Sequence, residues 1–169
     1  SKGSYSDYIR PLEMDAAGIM IPHVMSVEEV REIVRLTRFH PVGRRPLDGG
    51  NADGAFTRVD TDSYVHDANT ERFVVIQIED PEPLEQLEEI FAVDGYDGVF
   101  FGRRDFSHGI GHPGETGHDH ILATAQRIAD LAEKHGKFAC SVASPATTAE
   151  TMKAGFRFIS VGADVVGLG

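Results

Sequence analysis

Two acidic side chains stand where a parallel α/β protein does its chemistry. Glu79 closes the apolar run FVVIQI at residues 73–78, and Asp105 follows the run GVFF at residues 98–101 after Gly102-Arg103-Arg104. Carboxylates at neighbouring strand ends, with room left for water and substrate oxygens, suit a hard divalent cation such as Mg²⁺ or Mn²⁺. The same residue types also suit a plainer role, with Glu79 capping the helix that follows and Asp105 capping the turn after Gly102. Gln77 lies two residues before Glu79 and so shares its face of the strand. An amide within so apolar a run either orients a substrate or is a hydrogen-bonded core group.

Other chemistry-bearing residues are weaker candidates. The pairs Arg44-Arg45 and Arg103-Arg104 flank strand-end loops; one of them could fork onto a substrate carboxylate, or they balance an acidic surface. His112, His118 and His120 share one loop with His108 just upstream, yet no H-E-x-x-H pattern supports zinc. His23, after Pro22, suits a pocket or a hydrogen-bonded wall. Cys140 is the only cysteine and sits in an apolar run, as a buried small hydrophobe rather than a nucleophile.

These residues must be held by a scaffold, and the chain has the composition for one. Its 169 residues are 41% hydrophobic, enough for one core, and no apolar run is long enough to cross a bilayer. A net charge of −11 argues against a nucleic-acid partner, which needs clustered Lys and Arg, and leaves small molecules and metal ions. A lone cysteine fits reducing cytoplasm, and the start Ser1-Lys2-Gly3-Ser4-Tyr5 carries no apolar signal core.

Short apolar runs alternate with helical periodicity, the pattern of βαβ units around a parallel sheet. Strands are expected at residues 18–24, 73–78, 98–101, 138–142 and 158–161. Ser26 and Glu29 have capping-box spacing for a helix over residues 26–38. A second helix enters through Pro81 and Pro83 and turns Leu84, Leu87, Ile90 and Phe91 inward. A long third one runs from Ile121 to a stop at Gly136, and a short one covers residues 147–154. Residues 40–69 read as a long irregular loop within a single domain spanning residues 1–169, a length usual for functional lids or disordered segments, and as the expected specificity element. Five such units fit an open doubly wound sheet or part of a closed barrel, and periodicity does not separate the two. No G-x-G-x-x-G follows the first strand, which disfavours dinucleotide binding.

Four segments together resemble the class II pyruvate-dependent aldolases, the hydroxy-oxo-heptanedioate aldolase and citrate lyase family. They are GIMIPHVMSVEEVREIVRLTRFHPVGRR, VVIQIEDPEPLEQLEEIFAVDGYDGVFFGRRDFSHGIGHPG, the helix ending in HGK, and AGFRFISVGADVVGL. The most specific parts are Q-I-E and D-G-V-F-F-G-x-x-D. By this match the family's metal-binding glutamate falls on Glu79, its metal-binding aspartate on Asp105 and its active-site glutamine on Gln77. The turn from Gly102 through Arg103 and Arg104 to Asp105 falls on the segment that meets the substrate carboxylate.

The resemblance implies a (β/α)8 TIM-barrel fold of which this chain carries about the last five βα units. It implies a Mg²⁺-, Mn²⁺- or Co²⁺-dependent lyase that reversibly cleaves a 2-keto-4-hydroxy acid into pyruvate and an aldehyde through a metal-stabilised enolate. The partners so implied are a keto acid of pyruvate or oxaloacetate type and an aldehyde, within a cytoplasmic homo-oligomer. A lyase acting on a malyl- or citramalyl-type thioester, and a non-catalytic barrel remnant with a binding or assembly role, are the alternatives. Arg103-Arg104 replaces the family's usual Pro-Ala, a change that alters the charge of the carboxylate pocket. The family's catalytic arginine and histidine lie on strands with no counterpart in this chain.

Overall fold

The computed structural model describes residues 4–168. Residues 1–3, part of the start read above for a signal, lie outside that range. Five strands form one sheet: β1 (Gly18–Ile21), β2 (Phe73–Ile78), β3 (Gly98–Phe101), β4 (Phe138–Ala143) and β5 (Phe156–Val161). All four pairings are parallel, and the spatial order β1-β2-β3-β4-β5 follows the chain. A doubly wound sheet reverses its strand order at a switch point; a barrel winds in one direction. The observed order is the barrel's.

The two faces of the sheet differ accordingly. Val74, Ile76, Ile78, Val99, Phe101, Ala139 and Phe156 face the helices in one continuous core with Val30, Ile33, Leu87, Ile90, Ile121 and Ile128. On the opposite face the rings of Phe73 and Phe138 lie 5.9 and 6.0 Å from that of Phe158. Room for two of these rings comes from glycines: a Cβ on Gly18 would meet the Phe73 ring at 2.3 Å, and one on Gly98 the Phe138 ring at 2.5 Å. Further along this face Met20 is 40% and Val142 59% exposed, at positions that a closed barrel buries.

The helices are α1 (Tyr5–Glu13), α2 (Val27–Thr37), α3 (Thr61–Thr70), α4 (Leu87–Phe91), α5 (Arg103–Gly109), α6 (Asp119–Lys134), α7 (Thr148–Lys153) and α8 (Asp164–Gly167). Ser26 caps α2 as its spacing predicts, its hydroxyl accepting from Glu29 N at 3.2 Å, while the Glu29 carboxylate reaches back to Met25 N at 3.0 Å. The stretch after Pro81 begins as a 3-10 turn, Glu82–Gln86, before α4.

Residues 40–69 are not an irregular loop throughout. They contain a 3-10 turn (Ala52–Thr57) and nearly all of α3. The Asp60 side chain caps α3 by accepting from Ser63 N at 3.0 Å, and Asn69 pins its end by accepting from Phe39 N at 2.8 Å. Only Tyr64 and Ala68 of this helix are buried, against Phe39, so its apolar face is too narrow to stand out in the sequence. α1 likewise lies outside the expected elements. β5 starts earlier than its apolar run, because a register shift beside Ala139 and Cys140 lets Phe156 join the helix-side core and Phe158 the inner face.

Candidate active site

β1 ends at Ile21, opposite Ile76 and two residues short of the end of β2, and the segments that follow the two strands build the site. Pro22 has no N–H with which to continue β1, and His23 then takes a left-handed backbone, φ 52°. That conformation is costly for a residue with a Cβ, and such strain gathers at functional sites. Here it turns the His23 N–H onto Glu79 Oε1 at 3.0 Å. The His23 ring Nδ1 lies 2.9 Å from Asp80 Oδ2 and 3.4 Å from Glu79 Oε1. The Asp80 contact chiefly raises the His23 pKa, with burial opposing and the charges of Glu79, Asp80 and Asp105 assisting.

Glu79 is 2% exposed. Its other oxygen, Oε2, accepts a hydrogen bond from the Gln77 side-chain amide, since the two residues share a strand face as the alternation predicts. Among the described residues no lysine or arginine lies within ion-pair range of this carboxylate; its ionisable neighbour is the His23 ring. Burial pushes the Glu79 pKa up, the hydrogen bond from His23 pulls against this, and the nearby Asp105 charge adds to the rise.

Gly102 closes the site from β3. A Cβ there would come within 2.7 Å of Glu79 Cβ and 2.8 Å of Glu79 Oε2, so glycine is what lets the backbone pass the carboxylate. The Gly102 N–H donates to Ile78 O at 2.9 Å. The amides of the turn that stay open are therefore those of Arg103, Arg104 and Asp105, which form the first turn of α5. Asp105 is thus on a helix start rather than in a turn, and it is exposed, with its charge acting on both Glu79 and His23. Two neighbouring carboxylates with no lysine or arginine paired to them among the described residues, one buried beneath a glycine and already oriented by two donors, fit a divalent cation with further positions taken by water or substrate.

The remaining sequence candidates go elsewhere. Arg45 is buried in an ion pair with Asp53, lies 4.7 Å over the Phe39 ring, and is committed to the 40–70 segment. Arg44 is exposed. Arg103 turns to the helix side of the sheet, with Cζ 5.4 Å over the Phe156 ring, instead of joining Gln77 and Glu79, and Arg104 is exposed. The His112 and His118 rings stack at 4.1 Å, and His118 Nδ1 accepts from His120 N at 3.2 Å. Among the described residues no group of three or more His, Cys, Asp or Glu side chains could hold a metal. Cys140 is fully buried, and burial pushes its thiol up to about 12, consistent with a core residue. The role of the His23 amide was not visible in the sequence; the Pro22-His23 break at a strand end was the one available signal.

A parallel sheet wound in one direction, with a buried carboxylate and a nearby exposed one at its carboxyl edge, defines a barrel scaffold with an acidic strand-end site. The chain belongs to the HpcH/HpaI aldolase/citrate lyase family, whose model matches residues 1–168. It is 34% identical over 167 residues to a 2-keto-3-deoxy-L-rhamnonate aldolase of Klebsiella pneumoniae, covering 98% of this chain and 62% of that relative. Among solved structures, an HpcH/HpaI aldolase from Desulfitobacterium hafniense superposes with a TM-score of 0.89 at 30% identity, over 98% of this chain and 64% of that one. The citrate synthase SbnG superposes with a TM-score of 0.83 at 29% identity, over 96% of this chain and 62% of that one. The fold is therefore α/β of the TIM-barrel type, and the chain spans less than two thirds of the length of these relatives.

Proposed function

We propose that this chain carries the metal-holding half of a class II aldolase site, a carbon–carbon lyase that cleaves a 2-keto-4-hydroxy acid to pyruvate and an aldehyde. The observation that supports it best is the buried Glu79 carboxylate, held by Gln77 and the His23 N–H beside Asp105, with no lysine or arginine among the described residues to neutralise it. Glu79 and Asp105 would hold a divalent cation, Mg²⁺, Mn²⁺ or Co²⁺. Bound there, it supplies Lewis-acid stabilisation of the negative charge that develops on the keto oxygen as the C–C bond breaks.

The chain's own groups do the positioning. Gln77 fixes Glu79 through one amide hydrogen and keeps the other for a substrate oxygen. The open amides of Arg103, Arg104 and Asp105 offer donors to the keto-acid carboxylate. Gly102 keeps that turn close to Glu79. A homo-oligomer in the cytoplasm is the setting this reading implies; no helix among the described residues is long and apolar enough to cross a membrane.

Exchange of the pyruvate methyl protons in D₂O, followed by NMR with Mg²⁺, tests the reading without knowledge of the aldehyde. Metal-dependent exchange in this chain, lost in Glu79→Gln, is the expected result. Exchange that survives Glu79→Gln unchanged would overturn the assignment.

A further inference from the structure

Arg103 is a half-buried cation for which the described residues provide no anion. Its guanidinium lies over the Phe156 ring, its Nε is fully buried with no acceptor, and no hydrogen bond or ion pair reaches it among the described residues. Other buried arginines are treated differently: Arg38 holds Asp97, and Arg45 holds Asp53. The Arg103 Nε donor, out of water with no acceptor, has lost hydration that the protein does not replace. Burial lowers its pKa, and no neighbouring charge offsets that effect.

The space beside it is large enough for a ligand. Arg103 lines a cleft of about 710 Å³ that runs from Gln77 and Gly102, over the end of β4, to the groove between α6 and α7. The wall is mixed. Leu122, Ala125 and Ala154 give it an apolar side, while Ser141, Ser144 and Thr147 bring hydroxyls. Asp105 and Glu150 also line the cleft, but neither is within ion-pair range of Arg103. A cation, apolar side chains and the reaction-site residues Gln77 and Gly102 in the wall of one cleft match a short organic molecule with an acidic terminus.

We propose that Arg103 makes this cleft an anion subsite, which receives the carboxylate or phosphate at the end of the substrate remote from its keto group. This assignment of the ligand's other end rests on the aldolase reading. Arg103 then selects acidic over neutral aldehydes, because the fork of a guanidinium matches either oxyanion.

The full chain, loaded with Mn²⁺, is titrated calorimetrically with inorganic phosphate and, separately, with acetate, to tell the two oxyanion sources apart. Arg31→Gln, an exposed site on α2, controls for the lost charge. Wild type and Arg31→Gln should bind one of the two anions alike, Arg103→Gln at least ~10-fold more weakly, and Arg103→Lys in between. In turnover, Arg103→Gln should raise KM about 10-fold more for an acidic aldehyde than for a neutral one. Thermal melting of Arg103→Gln and Arg103→Met separates a structural role. If both variants unfold, or if Arg103→Gln binds both anions as wild type does, or if neither anion binds wild type, the subsite is overturned. Methyl exchange intact with anion binding absent overturns the subsite alone. Arg103-dependent binding with exchange absent overturns the aldolase reading and leaves an anion site without that substrate.

Discussion

The guanidinium of Arg38, 3% exposed, donates to Gly95 O at 2.7 Å, Arg72 O at 2.6 Å and Asp97 Oδ2 at 2.6 Å. The carboxylate of Glu79, 2% exposed, has a side-chain amide, a strained backbone N–H and a second carboxylate nearby. The first charge is neutralised by the chain that buries it, and it ties α2 to the ends of α3 and the start of β3. The second is oriented, and among the described residues it has the titratable His23 ring, Nδ1 3.4 Å from Oε1, in place of a permanent counter-charge. A buried charge that is fully paired serves the fold; one that is aimed and left short of a counter-charge is set for a ligand.

The largest expected effect falls on the open site. Glu79→Gln should weaken Mn²⁺ binding, measured calorimetrically, by more than about 100-fold, since losing only an outer-sphere partner costs about 10- to 100-fold. Unchanged Mn²⁺ affinity would reduce Glu79 to a helix cap and end the contrast with Arg38. Next comes the paired site. Arg38→Met should cost about 3–5 kcal/mol in urea unfolding while Mn²⁺ affinity per folded molecule stays the same. Gly102→Ala lies between the two kinds of effect: its Cβ must displace Glu79 Oε2, so Mn²⁺ affinity should fall about 10-fold with a smaller loss of stability.

The pH dependence sharpens the comparison further. Burial raises the Glu79 pKa in the folded state, so folding gains fully from the protonated group below the ordinary carboxylate range and loses that gain as pH rises through the raised value. Metal-free Glu79→Gln should therefore melt above metal-free wild type at neutral pH, and the gap should close on acidification. Glu88 provides the opposite and smallest case. Its exposed contact with Lys134, aided by His135, holds its pKa below the usual range. Any stability it contributes is present above that range and is lost as pH falls through the lowered value, so Glu88→Gln should melt close to wild type at neutral pH and indistinguishably in acid.

Much of this was legible in the sequence where local pattern is enough. The runs at residues 73–78 and 98–101 are strands with the expected bounds, because a strand buried on one or both faces needs a short apolar run and little else. Gln77 beside Glu79 followed from alternation within one strand, and the Q-I-E and G-x-x-D motifs carried the family. α3 escaped because most of its face is polar and its support comes from Asp60, Asn69 and Phe39.

Tertiary structure alone decided what depends on residues far apart in the chain. The spatial order of the strands, which separates barrel winding from a doubly wound sheet, has no signature in periodicity. The His23 N–H reaches Glu79 across 56 residues of sequence, and the Arg103 side chain turns to Phe156 rather than to the acidic cluster. The sequence by itself determined which segments are strands and which carboxylates end them, because those depend on burial along one element. Which of its charges are neutralised and which are left open depends on backbone direction and packing between elements, and that is settled only when they assemble.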